Sequence, residues 1–360
     1  MAGWRSRGIV AAVVVLLAAS ACGSDSTSSS KPSASAPSST DDATPKTLTV
    51  LCTVEEEWCA AQTAAFEAET GIATTYVRLS GGDAVAALGD TTTKPEFSVW
   101  WGGSADGYVA AKDGGKLAQY KSPNAAAVPD SAKDADGYWT GIYFGALGFC
   151  SNRTKLAAAN LPPPDSWSDL LDPALQGQVS IAHPATSGTA YTELWTQVAL
   201  HDLDADAAFE YLTALDANVA EYTASGSAPV DAVASGAATV GVVFAHDCVT
   251  AIADGTSDLV LSFPEEGTGS EIGATAVIRG GPDPEAARQW IDWALTAKAQ
   301  EIGPTAGAYQ LPENPKAKVS KFSIDPDEIN LVDYDFVEAG RQREALTERF
   351  STSIAPAPPE

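Results

Sequence analysis

Pro184-Ala185-Thr186-Ser187-Gly188-Thr189-Ala190-Tyr191 puts four small or hydroxyl residues, Thr186, Ser187, Gly188 and Thr189, at the mouth of an apolar helical stretch. Such a loop exposes backbone N–H groups that the helix cannot pair, beside the positive end of its dipole. That chemistry suits a phosphate, a sulfate or a carboxylate. Plain N-capping by Thr186 or Ser187 is the simpler use of these residues, although four in succession exceed what a cap requires. Ser80-Gly81-Gly82 repeats the physics between a strand-like and a helical segment, where a tight turn needing glycine is the alternative. Gly102-Gly103-Ser104 closes the apolar run FSVWW. At the carboxyl ends of parallel strands, these loops would all face the crevice where α/β sheets bind ligands.

His246-Asp247 follows the apolar run Ala238–Ala245. A His-Asp pair at a strand's end donates and accepts hydrogen bonds, as a polyhydroxyl ligand requires; capping the next turn is its structural alternative. Glu266, in the segment EEGTG, is either an acceptor for hydroxyls or a solvated acid. Metal binding would use the same residue types, but one His with two scattered carboxylates is a weak ligand set. No G-x-S-x-G, P-loop, H-E-x-x-H or G-x-G-x-x-G segment occurs. Asp325-x-Asp327 begins like a calcium loop, yet Asn330 replaces the required glycine and Phe336 the last acidic ligand. With only His183, His201 and His246 available, a His-based triad has few options. The chain reads as a binder and not an enzyme, with no cofactor implied.

Elements must position these residues. Thr47–Cys52 predicts a buried strand and Glu55–Glu69 an amphipathic helix with Trp58, Ala61 and Phe66 inward. Thr74–Leu79 is strand-like, Asp83–Leu88 opens a helix, and Phe97–Trp101 is a further strand. Tyr143–Cys150 suits a strand crossing into a second region, where Gln178–Ala182, Ala238–Ala245, Val260–Phe263 and Ile272–Ile278 predict strands. Helices are expected over Ser187–Leu200, Asp206–Leu215 and Pro284–Leu295, the last with a Trp290/Trp293 face. Strands alternating with helices imply an α/β fold with a parallel sheet flanked by helices.

Composition narrows the partners. The chain carries 21 basic against 47 acidic residues, a net charge of −26, which disfavours nucleic acid. Arg5 and Arg7 precede an apolar stretch, Gly8–Ala21, that ends Ala19-Ser20-Ala21-Cys22, the layout of a secretory signal. The stretch is short for a bilayer span. Small residues leading into Cys22 match a bacterial lipoprotein signal, whose new amino-terminal cysteine carries lipid, although Ala19 stands where leucine is usual. An ordinary signal peptide with an incidental cysteine is the alternative, and either one exports the chain. Removal of residues 1–21 would leave 19 basic against 47 acidic residues, a net −28. Residues 22–46 are expected to be the lipidated cysteine and a disordered Ser-rich tether. The remaining roughly 310 residues suffice for two domains. Cys52, Cys59, Cys150 and Cys248 predict two disulfides in an oxidising compartment. Cys52 ends a strand and Cys59 lies in the next helix, so 52–59 is a local staple and Cys150–Cys248 remains. Zinc is the rival, without a C-x-x-C or a His at ligand spacing.

The blocks SWSDLLDP, PATSGTAYTELW, YTASGSAP, GVVFAHD and EEGTGSEIG, in this order, resemble the extracellular solute-binding proteins of bacterial ABC importers, in the group often labelled iron(III)-binding. The resemblance runs from LTVLC to LVDYDFVEAGRQREALTERF. It implies the type II periplasmic-binding fold, two α/β lobes that close on ligand, with lobe one at 47–147 plus 265–345, lobe two at 148–264, and 346–360 as the end of the C-terminal helix and a tail. Ferric-binding members use adjacent tyrosines just after the position of Gly188-Thr189; Ala190-Tyr191-Thr192 lacks that pair. The combination of TSGT, HD and EGTG looks like relatives that bind hexose phosphates. By that likeness Ser80, Gly81, Thr186, Ser187, Gly188 and Thr189 would take the phosphate, with Gly102 and Gly103 at the same crevice, and His246, Asp247 and Glu266 the hydroxyls. In phosphonate-binding relatives Asp247 and Glu266 would instead meet an ammonium. CTVEEEW offers no basic residue, so charge neutralisation would rest on amides and Arg78. The expected molecule is a monomer, held by lipid on Cys22 at the outer face of the cell membrane. It would pass a small anionic organic ligand, a sugar phosphate before ferric iron or a phosphonate, to an ABC permease.

Overall fold

The computed structural model describes residues 47–88 and 94–358; Cys22, the signal segment and the tether lie outside the described residues. Strand β1 (Thr47–Cys52) is followed by helix α1 (Glu56–Thr70), which stops at Gly71, where φ is +73° and glycine is the residue that adopts it without strain. Next come β2 (Ala73–Arg78), α2 (Gly81–Ala87), β3 (Val99–Ser104), α3 (Ala105–Asp113) and the short β4 (Leu117–Ala118). The sequence predicts a loop at Gly102-Gly103 after the strand. They lie inside β3, at φ +88° and +77°, where a Cβ on Gly102 would sit 2.6 Å from Val54.

The long β5 (Thr140–Asn152) joins two sheets. Beyond it lie α4 (Arg153–Ala159), β6 (Val179–Ala182), α5 (Gly188–Leu200), α6 (Ala205–Asp216), β7 (Val219–Thr223), α7 (Ala228–Ala234), β8 (Val240–Phe244), α8 (Ala245–Ala253) and β9 (Leu259–Ser262). The chain returns through β10 (Ser270–Ile278) to α9 (Pro284–Ala294), α10 (Ala297–Gln300), β11 (Leu311–Pro312) and α11 (Phe336–Ser353). The strand order is β2-β1-β3-β10-β5-β8-β6-β7. Pairing is parallel within β2-β1-β3 and within β8-β6-β7, and antiparallel where β10 and β5 meet their neighbours, so each sheet is mixed and not purely parallel. Residues 140–146 of β5 face β10, and residues 147–151 face β8. One continuous strand thus serves both lobes of a two-lobed α/β fold.

The first lobe's core is aromatic. Trp58 meets Trp101 edge-on at 5.0 Å, Phe66 meets Trp290 at 5.0 Å, and Trp100 stacks on Tyr108 at 3.9 Å. Trp290 and Trp293 are buried, as the α9 pattern predicts. Helix α11 ties the lobes together. Gly340 lets it press on α3, since a Cβ there would lie 2.6 Å from the carbonyl oxygen of Asp106. Buried Arg343 pairs with buried Asp106 and lies 4.3 Å over the Tyr191 ring of α5. Among the described residues no helix is long and apolar enough to cross a membrane. Both disulfides form with the expected partners, Cys52–Cys59 and Cys150–Cys248.

Candidate functional site

Loops at the carboxyl ends of β1, β2 and β3 meet those after β6, β7 and β8 around one cleft of about 60 Å³. Its rim is fastened across the lobes. The Gly82 N–H donates to the Thr186 carbonyl at 2.9 Å, and the Ser80 hydroxyl lies 2.7 Å from the same oxygen and 2.6 Å from an Asp83 carboxylate oxygen. A Cβ on Gly82 would fall 2.1 Å from the Ala185 carbonyl oxygen, and one on Gly81 would fall 3.1 Å from the Gly188 nitrogen. At position 82 only glycine permits the approach, and at 81 a side chain would be tight.

One end of the cleft is rich in donors. Ser187 caps α5 by accepting from the Ala190 N–H at 3.3 Å, so the capping role is real, and the residue also lines the cleft. The first-turn N–H groups of Gly188 and Thr189 are ones a helix cannot pair itself, and they stand at the positive end of a 13-residue dipole. Ser225-Gly226-Ser227 closes over them; a Cβ on Gly226 would come within 2.0 Å of the Thr189 hydroxyl oxygen. Thr186 is turned away, its hydroxyl donating to the Ala224 carbonyl at 2.9 Å. Gly102 is likewise outside, its carbonyl accepting from Tyr108, whereas Gly103 lines the cleft and donates to the Tyr143 hydroxyl at 3.0 Å.

The other end is rich in acceptors. His246 and Asp247, in the first turn of α8, meet Glu55, with one ligand atom from each residue within 4.8 Å of the others. Glu271 joins from β10: a Cβ on Gly145 would touch both its carboxylate, at 3.0 Å, and the His246 ring, at 3.2 Å. Burial pushes His246 down to about 4, which leaves a neutral imidazole. Burial, and then the charge of Glu55, hold the carboxyls of Asp247 and Glu271 well above the usual range. Arg78 is the cation on the lining, with its Nε donating to the Val54 carbonyl at 3.1 Å. Glu55 Oε2 and Gln310 Oε1 are buried acceptors without a protein partner, and both residues line the cleft.

Glu266 does not join this group. Its carboxylate accepts from the Trp167 N–H at 2.6 Å and the Ser166 hydroxyl at 2.9 Å, pinning the short 3-10 helix Trp167–Leu171. Glu271, five residues on, occupies the cleft instead. A lone charged residue in the otherwise uncharged strand SEIGATAVI was the available signal for it. Glu55 gave a weaker one, as the first of three successive glutamates. Glu55, His246 and Asp247 could offer oxygen and nitrogen to a hard cation. Tyr191, next to the position where paired tyrosines would be needed, donates its hydroxyl to the Ala339 carbonyl in the core.

A family model for bacterial extracellular solute-binding proteins matches residues 106–339. An uncharacterized protein of Haemophilus influenzae is 35% identical over 315 residues, covering 85% of this chain and 90% of the relative. The solved periplasmic binding protein AfuA of Actinobacillus pleuropneumoniae, with exogenous fructose 6-phosphate bound, superposes with a TM-score of 0.83 at 31% identity, covering 86% of this chain and 99% of that one. The periplasmic binding protein P5PA gives a TM-score of 0.81 at 29% identity over 86% of this chain and 99% of its own.

Proposed function

Because this chain belongs to the family of bacterial extracellular solute-binding proteins, we propose that it captures a sugar phosphate for an ABC importer. One observation carries the reading: the cleft has donors at one end and unpartnered acceptors at the other. Gly188, Thr189, Ser225 and Ser227 offer N–H and hydroxyl donors to phosphate oxygens. Asp247, Glu271, Glu55 and Gln310 offer oxygens to sugar hydroxyls, and a neutral His246 donates or accepts. Fructose 6-phosphate in AfuA is a cargo of this shape.

The cleft, at about 60 Å³, is far below the roughly 300–1,000 Å³ of ordinary small-molecule pockets, which fits a closed state. The lobes then part to admit cargo, and the contacts of Ser80 and Gly82 with Thr186 re-form around it. A protonated amine is the second cargo chemistry, favoured by three acids facing one arginine on the lining. Attachment through lipid on Cys22 would hold the protein beside its permease; labelled-palmitate incorporation lost in Cys22→Ala tests that.

Calorimetry with fructose 6-phosphate, 2-aminoethylphosphonate, inorganic phosphate and ferric citrate tests the cargo. The expected order puts fructose 6-phosphate tightest and inorganic phosphate weaker. Binding of ferric ion alone, with a phenolate-to-iron absorption band, overturns the reading; tightest binding of the aminophosphonate moves it to the amine.

A further inference from the structure

We infer that the two disulfides are positioning elements for the acceptor end of the cleft; this rests on reading that cleft as the cargo site. The residues at issue sit where two helices begin. The cap position before helix α1 is Glu55, whose side chain makes no capping bond and lies instead with His246 and Asp247. The cap position before helix α8 is Phe244, which has no group to cap with, and the first turn of α8 carries His246 and Asp247. A first turn without a side-chain cap keeps orphan N–H groups and frays. Fraying here would move the ligand-facing groups themselves.

In both helices the fourth residue is a cysteine bonded to a strand alongside. Cys59 joins Cys52 at the end of β1, and Cys248 joins Cys150 in β5. All four cysteines are buried. At the anion end α5 has a side-chain cap, Ser187, whereas α2 and α7 have Ser80 and Ser227 at the cap position without a side-chain capping bond, and none of the three carries a cysteine in its first turn. Along the cleft, a covalent tie therefore stands at each α-helix start whose cap position is given over to an acid or an apolar residue. Pre-organising ligand groups in this way removes an ordering penalty from binding.

The test uses the mature protein with two double variants, Cys52→Ala/Cys59→Ala and Cys150→Ala/Cys248→Ala. Calorimetry measures fructose 6-phosphate and inorganic phosphate, and hydrogen exchange follows the first turns of α1, α8 and α5. Each variant is expected to bind fructose 6-phosphate about tenfold more weakly, while inorganic phosphate stays within about threefold of wild type. Amides of α1 or α8 should exchange faster, those of α5 at the wild-type rate. Unchanged fructose 6-phosphate affinity, or equal weakening for both ligands, overturns the inference. Should the variant lacking the tie with a sequence separation of 98 fail to fold, the one lacking the tie with a separation of 7 decides alone, because the shorter loop constrains the unfolded chain less. A wild type that binds neither ligand defeats the cargo reading, and the exchange contrast then decides the pinning by itself.

Discussion

Glu193 is an acid on the buried face of α5, with Oε1 lacking any partner. Burial pushes its carboxyl up to about 8. The native state therefore holds a proton that the unfolded chain releases, and stability falls as pH rises from about 4.5 towards 8. Glu193→Gln keeps the shape without the titration. Urea unfolding at pH 5 and pH 8 should show a smaller loss for this variant than for wild type; equal losses would mean that the carboxylate is ionised and stabilised. In the cleft, Asp247→Ala is expected to weaken fructose 6-phosphate binding by about 1–3 kcal/mol, the penalty of unpairing a hydroxyl, with little change in apo melting temperature. Gly82→Ala acts at the rim: its Cβ would meet backbone atoms of Ala185 and Thr186. The variant should keep its fold with the lobes held apart, and its affinity for every ligand should drop together. Loss of one ligand alone would contradict that. At this scale the sequence was legible where small residues precede a helix, as at Gly188-Thr189, and at His246-Asp247. Glu55 and Glu271 carried fainter signals, because what brings them into the cleft is packing against His246, Asp247 and Gly145, residues far away in sequence.

Elements show the same division. β1, α1 and α9 were readable because apolar spacing matched their period. β7 was not: it is an edge strand, with Ala220 and Glu221 exposed, so no apolar alternation marks it. Gly102-Gly103 read as a loop because glycine is the commonest sign of one, yet here it lets β3 continue against Val54. The bracing role of α11 depends on partners far away in sequence. Asp106 accepts from Ser104, Tyr334 and Arg343, and Arg343 covers Tyr191, so one buried ion pair links three helices. Truncating one partner strands the other charge in the core. Arg343→Ala should destabilise the protein by about 3–5 kcal/mol in chemical denaturation. A loss below about 1 kcal/mol would mean that the pair is solvated, like an ordinary surface bridge.

For the whole molecule, the lobes are coupled by β5, by the return of the chain into β10, and by α11 lying across both. On the proposed reading, closure on cargo would turn about these connections, with the rim contacts at Thr186 made in the closed state. The acidic surface, net −26 over the full sequence, does not oppose an anionic cargo, because the donors of α5 act at contact distance inside the cleft, whereas exposed charges are screened beyond about 10 Å at 0.1 M salt.

The chain of ring contacts behind the cleft has an optical consequence. Tyr143 lines the cavity, Trp58 lies 5.3 Å from its ring, and Trp101 lies 5.0 Å from Trp58. Cargo that touches Tyr143 or shifts the start of α1 alters the surroundings of an indole one ring away, so the protein carries its own light gauge. Tryptophan emission should change saturably with fructose 6-phosphate at the calorimetric affinity. Trp58→Phe should abolish most of that signal while leaving the affinity in place, and an undiminished signal would assign the reporter elsewhere among these rings.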